Sequence, residues 1–356
     1  MKALRLAYVV NSFPKLSETF IAEELSELVR RGVEVLVLSL NRPTETLRHR
    51  LIEEAGLAQR TRYDVSTFAE ALGAFQPDLL HAHFATQPTA AARELAEALQ
   101  VPFTFTAHGY DVYRRPPRDL CERASAAAAV VTVSRANAEH LHSAFSVPRE
   151  RMFVVPSGVD TERFRPRQKP SGPPRLVCVA RLKPVKNLAL LLHACRLLVE
   201  RDVEFHCTIV GDGPDLQDLE TARMRWGLSA VVTLAGAADQ EKVSEWWGQA
   251  SVGALSSVSE GMPVSLMEAG ASGVPVVAPR VGGIPELVDH GRTGLLFDSG
   301  DAPQMATALQ TLLTQPELRE TMGARARERV VELFSIRHQV DALLGVWNGV
   351  LEKGRG

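Results

Sequence analysis

Short runs of strand length alternate with segments of helical periodicity along this chain, and the series occurs twice. Residues 4–10 read as a strand. The following stretch, 18–31, places Phe20, Ile21, Leu25, Leu28 and Val29 at helical spacing and stops at Gly32. Strands are expected at 33–40, 78–84, 102–107, 128–133 and 152–156, with helices at 86–99 and 134–145, the latter capped by Ser134. Apolar strands separated by helices predict parallel sheets covered on both faces.

Residues 164–174, rich in Pro and charge and without periodicity, read as a linker. The series then restarts. Strands are expected at 176–180, 204–211, 231–234, 251–255, 274–278 and near 294–297. Helices are expected at 187–201, 214–227, 240–249 and 263–272, and again over 301–351. The expected fold class is therefore α/β, with an N-terminal domain over 1–165 and a second domain over 175–334. Each is a doubly wound sheet. Such sheets bind ligands beyond the carboxyl ends of their strands, so the chemistry is sought there.

Composition narrows the function classes. Apolar residues make up 45% of the 356, enough for large cores. Residues 1–165 carry 20 basic and 20 acidic side chains and residues 166–356 carry 20 and 22, so neither half is a basic module and nucleic acid is not an expected partner. Anion binding must then come from a few placed groups. The four cysteines include no C-x-x-C pair, which predicts a reducing compartment, no structural zinc and a cytoplasmic location. No apolar run approaches a membrane span, and the apolar stretch after Arg5 is too short for a signal peptide. There is no D-x-D triplet and no G-x-G-x-x-G after the first strand. The latter counts against a dinucleotide oxidoreductase.

The densest motif is Ser259-Glu-Gly-Met-Pro-Val-Ser-Leu-Met-Glu-Ala-Gly-Ala-Ser-Gly-Val-Pro-Val-Val-Ala278. Pro263 suits a first helical turn, which puts Glu260 in the loop before it and Glu268 about one and a half turns in. The N–H groups around Gly261 to Val264 form an anion site at the positive end of the helix dipole. Two carboxylates beside a phosphate cradle fit a ligand with many hydroxyls and a diphosphate. A second motif, Val179-Ala-Arg-Leu-Lys-Pro-Val-Lys-Asn187, brackets a turn after a strand with Arg181 and Lys186, which can converge on a diphosphate and neutralise it as a leaving group.

These residues resemble the retaining glycosyltransferases of family 4, a GT-B class. The resemblance rests on Glu260 and Glu268, the Arg181/Lys186 turn, Gly211-Asp-Gly-Pro214 and Gly282-Gly-Ile-Pro-Glu286. Ser12-Phe-Pro-Lys-Leu-Ser-Glu-Thr-Phe-Ile21 is similar to a branch used in bacterial exopolysaccharide assembly. The resemblance implies two Rossmann-like domains facing an interdomain cleft, with the terminal helix 335–356 packing back on the first. It implies ribose binding by Glu268, donor-sugar binding by Glu260, diphosphate binding by Arg181 and Lys186, and close approach of Gly261, Met262 and Pro263. Ala237 would flank the base. His108, at a strand end in Ala107-His-Gly109, is expected to contact the donor sugar and is grouped with Glu260 as catalytic.

On the acceptor side the expected residues are Ser17 and Glu18, in the loop and first turn after the first strand, and His83. His81 and His83 share a strand face. No third ligand has suitable spacing, so no metal is expected; His81 is expected to be structural. The implied partners are a UDP- or GDP-linked sugar and a glycan or lipid-linked acceptor, with no resident cofactor. A basic rim of Arg48, Arg50, Arg60, Arg62, Arg114, Arg115 and Arg118 is the expected source of a peripheral membrane contact. A nucleotide-sugar epimerase and a non-catalytic nucleotide-sugar binder stay open as alternatives: the first converts donor without acceptor, and the second turns over nothing.

Overall fold

The computed structural model describes residues 3–44 and 50–354. The chain divides into two compact units, Met1–Gly158 with Ile336–Gly356, and Val159–Ser335. The division falls before the Pro-rich segment 164–174, which therefore belongs to the second unit instead of lying between domains. The side chain of Phe164 is fully buried, and its carbonyl accepts from Arg327 Nη1 at 2.7 Å. The same nitrogen donates to the carbonyls of Thr161 and Ala271. One guanidinium thus ties the entering chain to the second unit.

The first unit holds seven strands: β1 (Arg5–Ser12), β2 (Glu34–Asn41), β3 (Thr61–Arg62), β4 (Leu79–His83), β5 (Phe103–Ala107), β6 (Ala129–Thr132) and β7 (Met152–Val154). Their order is β3-β2-β1-β4-β5-β6-β7, and every pair is parallel. Helices cover both faces, as apolar parallel strands require. One face packs against the helix Thr19–Arg30 and the last helix, Ile336–Lys353, through Tyr8, Ile21, Leu25, Leu28, Leu343 and Trp347. Ser134 caps the helix Arg135–Phe145 by accepting from the Asn137 N–H at 3.1 Å.

The second unit holds six parallel strands: β8 (Arg175–Val179), β9 (His206–Val210), β10 (Val232–Gly236), β11 (Val252–Ala254), β12 (Val276–Pro279) and β13 (Gly294–Phe297). Their order is β10-β9-β8-β11-β12-β13. In each sheet the order reverses once, between β1 and β4 and between β8 and β11. A reversal leaves a crevice at the strand ends, because the two flanking connections leave in opposite directions.

Candidate active site

In the second unit the loops after β8 and β11 leave from the reversal point side by side. Val258 N–H donates to the Val185 carbonyl at 2.9 Å, and Ser256 Oγ donates to the Lys186 carbonyl at 2.9 Å. This brings the two motifs into contact. Lys186 Nζ lies 2.5 Å from Glu260 Oε1, which also accepts from Ser257 Oγ at 2.6 Å. Arg181 is exposed and its guanidinium has no partner among the described residues, so its fork is available to an anion. The amide N–H groups of Gly261 and Met262 are likewise unpartnered among the described residues.

Glycines allow the packing. Gly211 and Gly213, with φ of +142° and +157°, press against the loop that carries Arg181: a Cβ on Gly213 would lie 2.2 Å from the Leu182 carbonyl oxygen. Gly282 (φ +50°) backs the other loop, where a Cβ would stand 1.7 Å from the Glu260 carbonyl oxygen. The helix after Glu260 spans Val264–Ala271, so Pro263 sits just before its first turn. Met262 and Pro263 are buried in the wall. Glu268 is only 5% exposed, and its Oε2 accepts from Trp247 Nε1 at 3.1 Å. Ala237 is exposed after β10.

In the first unit His108 directly follows β5 and His83 ends β4, next to the other reversal. His83 Nδ1 lies 3.0 Å from His108 Nε2, and His83 Nε2 lies 3.1 Å from Glu24 Oε1. His83 is 1% exposed, so it sits behind His108 and not on the surface where an acceptor-side residue was expected. The His108 ring is flanked by Phe20 and Phe84, with centroids at 4.8 and 4.7 Å. Burial, and then the neighbouring His83, push the His108 imidazole well below its ordinary value, so it is neutral at pH 7. Burial does the same to His81, whose ring nitrogens meet Thr104 Oγ1 at 2.8 Å and Thr106 Oγ1 at 3.0 Å.

Glu24, His81 and His83 bring their ligand-type atoms within 4.8 Å, which supplies the third member that sequence spacing did not. Both nitrogens of each of these histidines already face a hydrogen-bonding neighbour. The cluster is thus built as a hydrogen-bonded core. Ser17 is half-buried; Glu18 accepts from Lys15 Nζ at 2.6 Å and caps nothing with its side chain. Of the basic residues, Arg50 pairs with Glu54 at 2.8 Å, Arg62 bonds to the carbonyls of Gln59 and Thr61, and Arg114, Arg115 and Arg118 are exposed. Arg48 lies outside the described residues.

Comparison with known proteins follows the same division. The family described as Glycosyltransferase Family 4 matches residues 17–163, and Glycosyl transferases group 1 matches residues 159–329. The chain belongs to this glycosyltransferase family. WcaL of Escherichia coli, assigned to colanic acid biosynthesis, is 29% identical over 397 residues, covering 93% of this chain and 96% of its own. The amylovoran biosynthesis glycosyltransferase AmsK of Erwinia amylovora is 26% identical, covering 87% of this chain and 90% of its own. The fold is GT-B: Anabaena HepE, crystallised with UDP and glucose, superposes with a TM-score of 0.82 at 17% identity, over 97% of this chain and all of the other.

Several neighbours of the named residues carry little signal in the sequence. Glu24 falls four residues after Phe20 and four before Leu28, on the apolar face of its helix, where a carboxylate is costly unless paired. That placement was a legible signal. Tyr8, Gln339, Ser257 and Trp247 carried none, because each matters through a contact that only folding creates. Among the described residues no helix is long and apolar enough to cross a membrane.

Proposed function

We propose that the chain is a retaining, metal-independent hexosyltransferase. It uses a UDP- or GDP-linked sugar and glycosylates a hydroxyl of a glycan or lipid-linked glycan in bacterial polysaccharide synthesis. The observation that carries the reading is the Lys186–Glu260–Ser257 cluster beside the unpartnered Arg181 and the Gly261 and Met262 amides. An ammonium has three donors, so Lys186 can keep Glu260 and still meet a phosphate oxygen. Arg181 supplies the planar fork. Two cations and a helix start stabilise charge as it develops on a leaving diphosphate, the task a metal performs elsewhere. The polysaccharide setting rests on WcaL and AmsK, and UDP as the first donor to try rests on HepE.

In this reading Glu268 takes the ribose hydroxyls and Glu260 the donor sugar, with Ala237 flanking the base, and His108 contacts the donor sugar. Displacement is front-face: the anomeric bond to the diphosphate breaks, the acceptor oxygen bonds on the same face, and its proton passes to the departing diphosphate. Ser17 and Glu18 belong to the acceptor side. A peripheral contact at the inner membrane face would use Arg114, Arg115 and Arg118, and cosedimentation with anionic vesicles tests it.

The test is a thermal-shift panel of UDP, GDP, ADP and their sugars, followed by turnover of the donor that stabilises. A fitting nucleotide at about 100 times its Kd adds roughly 2.7 kcal/mol. Glu260→Gln is expected to lower turnover by about 100-fold or more while nucleoside diphosphate binding holds. Loss of nucleotide affinity instead would move Glu260 to the ribose.

A further inference from the structure

The buried groups behind His108 form a chain of hydrogen bonds that starts from a fixed donor. It begins at a backbone amide, which only donates: Gly158 N–H to Gln339 Oε1, 2.5 Å. That fixes the Gln339 amide, so its Nε2–H donates to Glu24 Oε2 at 2.6 Å. Tyr8 O–H donates to Glu24 Oε1 at 2.7 Å; burial and the adjacent carboxylate raise the phenol well above its ordinary value and keep it a donor. With His83 as the neutral imidazole, the carboxylate receiving these bonds accepts from His83 Nε2–H as well, and His83 Nδ1 is then unprotonated. His108 must then donate from Nε2 to His83 Nδ1. Its remaining nitrogen, Nδ1, carries a lone pair and has no partner among the described residues, and His108 is 9% exposed.

We infer that Glu24, oriented by Gln339 and Tyr8, acts through His83 to hold His108 in the tautomer with its proton on Nε2. His108 Nδ1 is thereby a hydrogen-bond acceptor that selects a hydroxyl of the substrate and turns away carbonyl or phosphate oxygens. Glu24, His83 and Gln339 are positioning residues. The groups facing the relay are Tyr8 on β1, Glu24 on the helix Thr19–Arg30, His81 and His83 on β4, Thr104 and Thr106 on β5, Asp111 beyond it, and Gln339 and Trp347 on the last helix. Thr104, Thr106 and Trp347 bond around His81 and leave the Glu24–His83–His108 line separate. That the selected hydroxyl belongs to the donor sugar rests on the function proposed above; the tautomer does not.

The geometry makes an unusual demand on Glu24→Gln. Because Gly158 locks Gln339, the new amide must turn its oxygen to Gln339 and its NH2 to His83 Nε2. Every link then inverts: His83 donates from Nδ1, and His108 accepts at Nε2 and carries its proton on Nδ1. Pairing Glu24→Gln with Gln339→Glu restores the original order. The carboxylate, now at position 339, accepts from both the Gly158 N–H and the amide NH2 at position 24, so the amide oxygen again faces His83.

Histidine 15N spectra of the full chain, with His108 assigned by the signals lost in His108→Asn, read the tautomer directly. The expected results are Nε2–H in the unaltered protein, Nδ1–H in Glu24→Gln, and Nε2–H again in the double variant, with donor turnover reduced on the order of 10–100-fold and recovered in parallel. A proton on His108 Nδ1 in the unaltered protein overturns the inference without any variant having to fold. An unchanged tautomer in folded Glu24→Gln also overturns it. A reversed tautomer with unchanged turnover upholds the relay and instead removes His108 from the donor sugar.

Discussion

The carboxyl of Asp111 joins two strand ends: Oδ2 accepts from the Ala85 N–H at 2.6 Å, after β4, and Oδ1 from the His108 N–H at 2.9 Å, after β5. Burial pushes this carboxyl up to about 7 from 3.8 against the pull of those amides. A raised carboxyl means that the native state holds a proton the unfolded chain has lost, so its contribution to stability declines as pH rises from about 4 to about 7. Asp111→Asn removes that decline and sets an NH2 against one backbone donor. The variant is expected to be less stable by roughly 1–3 kcal/mol at pH 5, with the deficit shrinking toward pH 8. Urea midpoints at the two pH values measure it, and a deficit that widens with pH would contradict the assignment.

At the scale of elements, the loops that carry Arg181, Lys186 and Glu260 are shaped by backbone approaching backbone. Gly282 and Gly291 both have positive φ, +50° and +78°, but only Gly282 has a neighbour in the way. Gly291→Ala is expected to cost about 1–2 kcal/mol of backbone strain alone. Gly282→Ala adds the collision with the Glu260 carbonyl, so it should be clearly less stable in denaturant titration and should lose donor turnover, whereas Gly291→Ala keeps its activity. Equal effects of the two would mean that the loop yields freely.

Much of this is legible in the sequence. Strand–helix alternation placed the β8 and β11 loops at strand ends, and the glycines marked close approach. The helices Phe68–Phe75 and Leu120–Ala126 and the two-residue β3 went unread, because short Ala-rich helices and a strand that brief carry almost no periodicity. The relay stayed hidden for a different reason. Glu24 meets His83 across 59 residues and Gln339 across 315, and no local pattern encodes such pairs. Proline content misplaced the seam, since Arg327 binds the Pro-rich entry segment to the second unit.

As a whole molecule, the chain leaves its first unit at Gly158 and returns to it at Ile336. The returning helix supplies Val340, Leu343, Val346 and Trp347 to the core around Tyr8 and Leu28. Burial of one Trp is worth roughly 3–5 kcal/mol against Ala, a large share of a domain's margin. A chain ending at Ser335 is therefore expected to lose the cooperative transition of the first unit while the second unfolds as before and still responds to nucleotide. Calorimetry with and without UDP separates the two transitions. A truncated protein with both intact would show the helix to be an accessory.

The return of the last helix also sets an order in time. Chains emerge from the ribosome at about 5–20 residues per second, and domains generally fold as they appear. The second unit, Val159–Ser335, is contiguous and can close during synthesis. Gln339 reaches Glu24 only after that, so a nascent chain can hold a folded second unit while His108 still lacks its fixed proton. The position of Gln339 after the second unit in the chain thus orders the two events: the second unit can close first, and the proton on His108 is fixed only afterwards.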